Sequence, residues 1–312
     1  MNKEFKIKLA LVLFIIIISL LLIINIITKK DDNSPSSSTI SSSSTVVESE
    51  KIESSSLAVE SSSVAPEPSP QPVKNEKVYE VLNGAYTVPV WNLIYLSPHE
   101  NNKIDADIPF DKTKFDSQYI NSVISENYAK MVEDAKNAGI TLFLRSGFRA
   151  MSEQSVNYNN AVNRQLAEGH SKEEAIRLTQ QYYTVPGHSE HHTGLALDII
   201  TPEYHNSVYT LDSRFADTEA YTWLIENCNN YGFILRYPEG LDEITKITFE
   251  PWHYRYVGEN HAKAITKLGI TFDEYIPLIL DEFAYICTAT DPETIKAEMV
   301  IFAENFANTI IK

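Results

Sequence analysis

Residues 186–198 read PGHSEHHTGLALD, and together with FEPWHYRY at residues 249–256 they decide the fold of this chain. In the first stretch a histidine-rich turn precedes an apolar run, GLALDII at 194–200, which predicts a buried strand that carries Asp198. The second stretch predicts another strand, with Glu250 and His253 three residues apart. The sequence thus concentrates histidines and acids on two short strand-like segments.

These residue types suit a catalytic zinc site. Such a site takes about three nitrogen or oxygen ligands from the protein and leaves one position for water. A carboxylate outside the ligand set can then accept the proton of that water. A single histidine is more often solvated or held by a polar contact, but the combination of two histidines, Asp198 and the spare Glu250 favours a metal.

The residues alone do not choose among the three clustered histidines, His188, His191 and His192. His192 lies six positions before Asp198, so a regular strand would place both side chains on one face. His191 lies seven positions before Asp198 and needs a bend, which Gly194 permits. Periodicity by itself therefore favours His192.

A family resemblance makes the choice. Residues 189–198 have the form S-x-H-x-x-G-x-A-x-D, residues 250–253 have the form E-x-W-H, and SGFRAMSEQ at 146–154 resembles a Ser-Gly-Tyr-Arg turn. In this order and separation the motifs resemble those of the VanY-type D-alanyl-D-alanine carboxypeptidases, with their LD-carboxypeptidase relatives, which are zinc enzymes that trim peptidoglycan stem peptides. The resemblance covers about residues 115–260.

The resemblance implies a role for each matching residue. It implies that His191, Asp198 and His253 bind Zn²⁺, against the preference of periodicity for His192, and that Glu250 is the catalytic carboxylate. It places Arg149 where a guanidinium stabilises the oxyanion or clamps the terminal carboxylate of the substrate.

Further residues are expected to bind substrate. We expect Ser189 and Gln154 to hydrogen-bond the peptide, and Tyr183 to line the pocket. The chain departs from the family pattern at Phe148, which replaces a tyrosine, and at His192, where many relatives carry glutamine. We expect the His192 imidazole to be solvated.

The expected function is that of a zinc carboxypeptidase that removes a C-terminal D-alanine from peptidoglycan stem peptides. The sequence leaves open whether the bond is D,D or L,D, and whether the chain acts as a dipeptidase or endopeptidase. The alternative is a metal-stabilised module that binds the same peptides without cleaving them. Glu250 favours the enzyme, because a binder needs no spare carboxylate beside the metal.

Few strands separated irregularly by helices predict a single α+β domain over residues 78–312, with a small, mainly antiparallel sheet flanked by helices. The apolar spacing predicts a helix between Phe115 and Ala138, and capping boxes are predicted at Ser171 and Thr271. Residues 261–312 are predicted to be a helical extension that packs on the body. The predicted strands cover residues 140–147, 194–200, 233–238 and 247–258.

The N-terminal part differs in composition. Residues 9–27 read LALVLFIIIISLLLIINII, a charge-free run that predicts an uncleaved transmembrane anchor over 9–28. The preceding lysines favour a cytoplasmic N-terminus at 1–8 and a single-pass protein whose catalytic domain faces the cell wall. Residues 29–77 are rich in serine and proline and predict a disordered linker.

Composition excludes one class of partner and one class of fold. The net charge of −16 over 312 residues opposes binding to a nucleic-acid backbone. With two cysteines, Cys228 and Cys287, the chain has neither a disulfide framework nor a cysteine-only zinc site. The two residues could form one disulfide, but we expect both thiols to be buried and unpaired. The sequence gives no indication of the oligomeric state.

Overall fold

The computed structural model describes residues 75–82, 90–99, 102–208 and 210–312. These residues belong to one compact unit, Pro68–Lys312. Within the described ranges, no helix is both long and apolar enough to cross a membrane. The apolar run at 9–27 and nearly all of the predicted linker lie outside the described residues.

The domain is α+β, as predicted, and contains two small antiparallel sheets. The first is a hairpin of β1 and β2, and the second has four strands in the order β3-β4-β6-β5. Every pair of neighbours in the second sheet is antiparallel. The strands are β1 Lys112–Phe115, β2 Gln118–Asn121, β3 Phe143–Ser146, β4 Ala196–Ile200, β5 Phe233–Leu235 and β6 His253–Tyr256.

Helices surround the sheets, and the predicted capping box forms in full at Thr271, while Ser171 makes only the first of its two hydrogen bonds. The Thr271 side chain accepts from the Glu274 backbone N–H, and the Glu274 carboxylate accepts from the Thr271 backbone N–H. The Ser171 side chain accepts from the Glu174 backbone N–H. The helices are α1 Glu76–Leu82, α2 Ser125–Asn137, α3 Met151–Ala167, α4 Lys172–Gln180, α5 Pro202–Ser207, α6 Glu219–Asn227, α7 Asp242–Thr245, α8 Glu259–Leu268, α9 Phe272–Ile286 and α10 Pro292–Ile311. Short 3₁₀ helices span Trp91–Leu93, Ser122–Ile124, Glu190–Thr193, Ser213–Asp217 and Cys228–Tyr231.

The C-terminal helices pack on the body, as their apolar spacing predicts. Ile295 and Met299 of α10 are fully buried in a cluster that also contains residues of α1, α8 and α9. A second cluster packs the apolar residues of β4 against α2 and α6. Burial of this much aliphatic and aromatic surface is the main stabilising contribution to such a domain.

The predicted helix from Phe115 is wrong in its first part. Phe115 ends β1 and Ile120 lies in β2, and α2 begins only at Ser125. Asp116 makes the hairpin turn with a φ of 50°, a conformation that aspartate tolerates better than most residues, and its carboxylate accepts from the Leu144 backbone N–H. The apolar residues are spaced as in a helix because the hairpin, the 3₁₀ turn and the helix α2 each bury one face.

The predicted strand at 247–258 is also too long, since only His253–Tyr256 is extended. Pro251 has no N–H to donate to a neighbouring strand. Instead the His253 N–H donates to the Glu250 carbonyl, which closes a turn directly before β6. That turn brings Glu250 and His253 to the same end of the strand.

Gly194 joins the 3₁₀ helix Glu190–Thr193 to β4 in a conformation that only glycine adopts without strain. Its φ is 66°, and a Cβ would lie 2.7 Å from the Phe110 ring and 2.8 Å from the Asn121 backbone nitrogen. Gly269, with a φ of 65°, has nothing within 4 Å of the same position and is a matched control.

We expect Gly269→Ala to lower the free energy of unfolding by about 1 kcal/mol, the cost of left-handed backbone. Gly194→Ala adds a clash with backbone and ring and should cost at least about 2 kcal/mol more. Urea unfolding followed by circular dichroism measures both changes. Equal losses in the two variants would contradict the steric role of Gly194.

Candidate metal centre and substrate cavity

The antiparallel pairing of β4 with β6 makes Asp198 and His253 direct neighbours. Asp198 Oδ1 lies 3.3 Å from His253 Nδ1 and 3.4 Å from His191 Nε2. The three candidate ligand atoms all lie within 4.8 Å of one another, and all three residues are buried. The strands thus provide two ligands, and the turn before Gly194 provides the third.

Hydrogen bonding fixes the orientation of His191. Its Nδ1 donates to the Gly147 carbonyl at 2.7 Å, which leaves the Nε2 lone pair directed at Asp198 and His253. Burial, with the nearby Arg149 charge, lowers the pKa of His191 to about 4. The ring is therefore neutral near pH 7, the form that binds a metal.

The electrostatics of the site favour a cation. Burial alone would raise the pKa of Asp198 and lower that of His253, but contacts between the carboxylates and imidazoles outweigh burial and reverse both shifts. Among the described residues, the buried Asp198 Oδ1 has no hydrogen-bond partner. Two imidazoles and a carboxylate oxygen left free to bind match the donor set that zinc prefers.

Glu250 lies beside these ligand atoms. Its Oε2 is 3.4 Å from His253 Nδ1, and burial raises the pKa of the Glu250 carboxyl. The residue also lines the cavity described below. Its position suits a group that exchanges protons at the site.

Arg149 is held in place by three side chains. Its guanidinium donates to Gln154 Oε1 at 2.9 Å and to Ser146 Oγ at 3.1 Å, and Nη2 lies 3.7 Å from Asp198 Oδ2. The Gln154 amide nitrogen donates to the Thr184 carbonyl. Both ends of the Gln154 amide are therefore engaged within the protein, and Gln154 orients Arg149.

A cavity of about 570 Å³ opens onto the site. The predicted substrate residues Ser189, Gln154, Arg149 and Tyr183 all line it, as do His191, Asp198, His253 and Glu250. The structure therefore brings together every site residue named from the sequence. Trp252 and the exposed Arg145 line it as well.

His192 is not solvated, and that expectation was wrong. The side chain is fully buried, its Nδ1 donates to the Arg149 carbonyl at 2.7 Å, and its Nε2 accepts from the Gly187 N–H at 3.1 Å. It therefore ties the turn that carries Arg149 to the segment before His191. Strand periodicity failed here because residues 190–193 form a 3₁₀ helix.

The sequence analysis missed a group of buried charges behind the site. Glu190, Arg236 and Arg255 are each at most 1% exposed. Arg236 Nε donates to Glu190 Oε1 at 2.8 Å, and Arg255 Nη1 lies 3.1 Å from the same oxygen. The available signal was an arginine inside each of two strand-like apolar segments, FILRYP and HYRY, because a buried charge requires a partner.

Comparisons with known proteins agree with this geometry. The family described as VanY, D-alanyl-D-alanine carboxypeptidase, matches residues 117–259. The bifunctional D-Ala-D-Ala dipeptidase and D-Ala-D-Ala carboxypeptidase VanXYC of Enterococcus gallinarum is 35% identical over 157 residues, which are 50% of this chain and 77% of that protein. The chain belongs to the VanY family.

Two solved structures extend the comparison. VanYB in complex with D-alanine-D-alanine superimposes with a TM-score of 0.53 at 31% identity, over 60% of this chain and 98% of the other. A mutant of the vancomycin resistance D,D-pentapeptidase VanY, in complex with Zn(II), superimposes with a TM-score of 0.52 at 32% identity. The match covers 60% of this chain and 99% of the other. Three further relatives align with this VanY-family chain over only 46% to 66% of their own lengths.

The buried His191, Asp198 and His253 cluster could hold a metal ion, and the similar VanY structure is a complex with Zn(II). The tetrahedral preference of zinc leaves room for a fourth ligand beyond these three residues. The two imidazoles and one carboxylate that the strands and the turn bring together would therefore suit zinc.

Replacement of the two adjacent histidines distinguishes a ligand from a structural residue. We expect His191→Gln to weaken zinc binding by about 100-fold or more, because it removes one of three ligands. His192→Gln keeps a donor and an acceptor and should bind zinc nearly as the unmodified chain does. Zinc titration against a chromophoric chelator measures both, and equal loss in the two variants would contradict the assignment of His191.

Proposed function

We propose that this chain is a zinc carboxypeptidase that removes a C-terminal D-alanine from peptidoglycan stem peptides. The observation that carries the proposal is the position of Glu250, buried on the wall of the cavity with Oε2 3.4 Å from the metal-facing nitrogen of His253. Membership of the VanY family and the D-Ala-D-Ala activities named for its relative VanXYC support it.

Zinc, when bound, acts as a Lewis acid that lowers the pKa of water and polarises the scissile carbonyl. Glu250 accepts the proton of the attacking water and later delivers it to the leaving amine of D-alanine. Burial raises the pKa of the Glu250 carboxyl, which helps the group retain the water proton until it passes to the amine nitrogen as the C–N bond breaks.

Arg149 supplies a fixed positive charge. Ser146 and Gln154 hold the guanidinium, so it loses little freedom when an anion arrives. It lines the cavity, where it can pair with the terminal carboxylate of the peptide or with the oxyanion that forms at the attacked carbonyl.

We propose the D,D bond of a pentapeptide stem as the preferred target. The VanYB complex with D-alanine-D-alanine and the D-Ala-D-Ala activities named for VanXYC support this choice over the L,D bond of a tetrapeptide. The other reading, a binding module without turnover, leaves the buried Glu250 carboxylate without a purpose, since burial of an unused acid is unfavourable.

The substrate assay uses the full-length chain with muropeptides of defined stem length. We expect zinc-dependent release of D-alanine from pentapeptide stems, abolished by a chelator and restored by zinc. Chromatographic detection of free D-alanine is the measurement. Release from tetrapeptides alone would overturn the D,D preference, and no release with zinc restored would overturn the enzyme.

Glu250→Gln tests the proton-transfer role separately. The variant keeps the shape of the side chain and removes the base, so we expect kcat to fall by about 10³-fold with zinc stoichiometry unchanged. Ser189→Ala, which alters the same cavity without touching the base, is the matched control and should change KM more than kcat. Loss of zinc from Glu250→Gln would mean that Glu250 is a ligand.

We also propose that residues 9–28 anchor the chain in the cell membrane, with the domain on the cell-wall side. Support comes from the sequence alone, since the 9–27 run is free of charge and lysines precede it.

Cell fractionation and protease treatment of intact protoplasts test the anchor. The full chain should sediment with membranes, and external protease should cleave it at the linker. Recovery of the protein in the soluble cytoplasmic fraction would contradict the proposal.

A further inference from the structure

The buried charges behind the metal centre form a chain of contacts that reaches the C-terminal helices. Arg236 donates through Nη2 to Asp273 Oδ1 at 3.0 Å and through Nη1 to Asp273 Oδ2 at 2.5 Å, while its Nε bonds Glu190. Asp273 lies in the first turn of α9, and Tyr95 also donates to it at 2.8 Å. One guanidinium therefore joins the helical extension to Glu190.

Glu190 in turn faces a metal ligand. Its Oε2 lies 3.7 Å from His253 Nε2, and within the described part of the chain neither atom has a hydrogen-bond partner. His253 directs Nδ1 at Asp198, so a neutral ring that binds metal through Nδ1 carries its proton on Nε2. At 3.7 Å the two atoms lie just beyond hydrogen-bonding distance. Glu190 is the acceptor that the Nε2 proton requires.

The charge balance of the buried group depends on Asp273. Two buried arginines, Arg236 and Arg255, stand against two carboxylates, Glu190 and Asp273. Without Asp273, the Glu190 carboxylate would be the one acidic partner of both Arg236 and Arg255 within this buried group. One positive charge would then lie uncompensated behind a cation site. Buried charges without partners are strongly unfavourable.

We propose that Glu190, Arg236 and Asp273 position His253 for zinc, so that a residue of the C-terminal helices sets the affinity of the metal centre. Glu190 orients the imidazole directly, and Asp273 acts through Arg236 on Glu190. All three are positioning residues. The proposal rests on the zinc site and extends it to residues 272–286.

The test measures zinc affinity, which requires no peptide hydrolysis. In the full-length chain we expect Asp273→Asn to weaken zinc binding about tenfold, within the range found for residues that support metal ligands. Glu274→Gln is the matched control, because it removes the same charge from the same turn and can keep the hydrogen bonds to Thr271. It should bind zinc like the unmodified chain.

Two results of this comparison would overturn the proposal. The first is unchanged zinc affinity in Asp273→Asn, and the second is equal weakening in Glu274→Gln, which would indicate a general charge effect of the helix. Unmodified chain that binds zinc tightly without releasing D-alanine would count against the proposed function alone.

A double-mutant cycle tests whether Asp273 acts through Glu190. We expect Glu190→Gln to weaken zinc binding by about 10- to 100-fold, and Asp273→Asn to add less than about twofold in that background. A full additional tenfold would show that Asp273 acts independently and would overturn the relay.

One measurement needs no variant, in case Asp273→Asn does not fold. In the zinc-loaded chain labelled with ¹⁵N-histidine, nuclear magnetic resonance should show His253 protonated at Nε2, with slow proton exchange as expected of a buried, hydrogen-bonded N–H. Protonation at Nδ1, or an Nε2 proton that exchanges freely with water, would overturn the proposal.

Discussion

The structure depends on one register, the pairing of Asp198 in β4 with His253 in β6. A shift of this pairing by one residue would turn one of the two side chains to the opposite face of the sheet. The apolar residues of β4 hold the register, because all five positions of the strand are buried. The same packing that forms the core therefore sets the distance between two of the proposed zinc ligands.

The proposed third ligand, His191, and the proposed base, Glu250, depend on turns at the ends of these strands. Gly194 ends the 3₁₀ helix that presents His191, and the turn before β6 places Glu250 next to His253. Gly147 and His192 tie the Arg149 turn to the same region through the bonds they make with His191, Arg149 and Gly187. Rigid strands and short tight turns together preorganise the site, which reduces the entropy lost in forming the reactive arrangement.

The sequence predicted the chemistry better than it predicted the local structure. The resemblance of its motifs to the VanY family named His191, Asp198, His253 and Glu250, whereas residue types and periodicity alone left the histidines open and favoured His192. Periodicity failed at Phe115 and Ile120, where a hairpin and a helix bury residues at similar intervals. Glu190 and its partners were missed because their importance lies in contacts between segments distant in sequence: Glu190 meets Arg236 across 46 positions, and Asp273 lies a further 37 away.

We propose that the β4–β6 register and the turn before Gly194 assemble a three-ligand zinc site with Glu250 outside the ligand set. Anomalous diffraction at the zinc edge, from crystals of the zinc-loaded chain, shows which atoms bind the metal. We expect one peak at bonding distance from His191 Nε2, Asp198 Oδ1 and His253 Nδ1, with no bond to Glu250. A peak bonded to His192, or to Glu250 in place of one of the three, would contradict it.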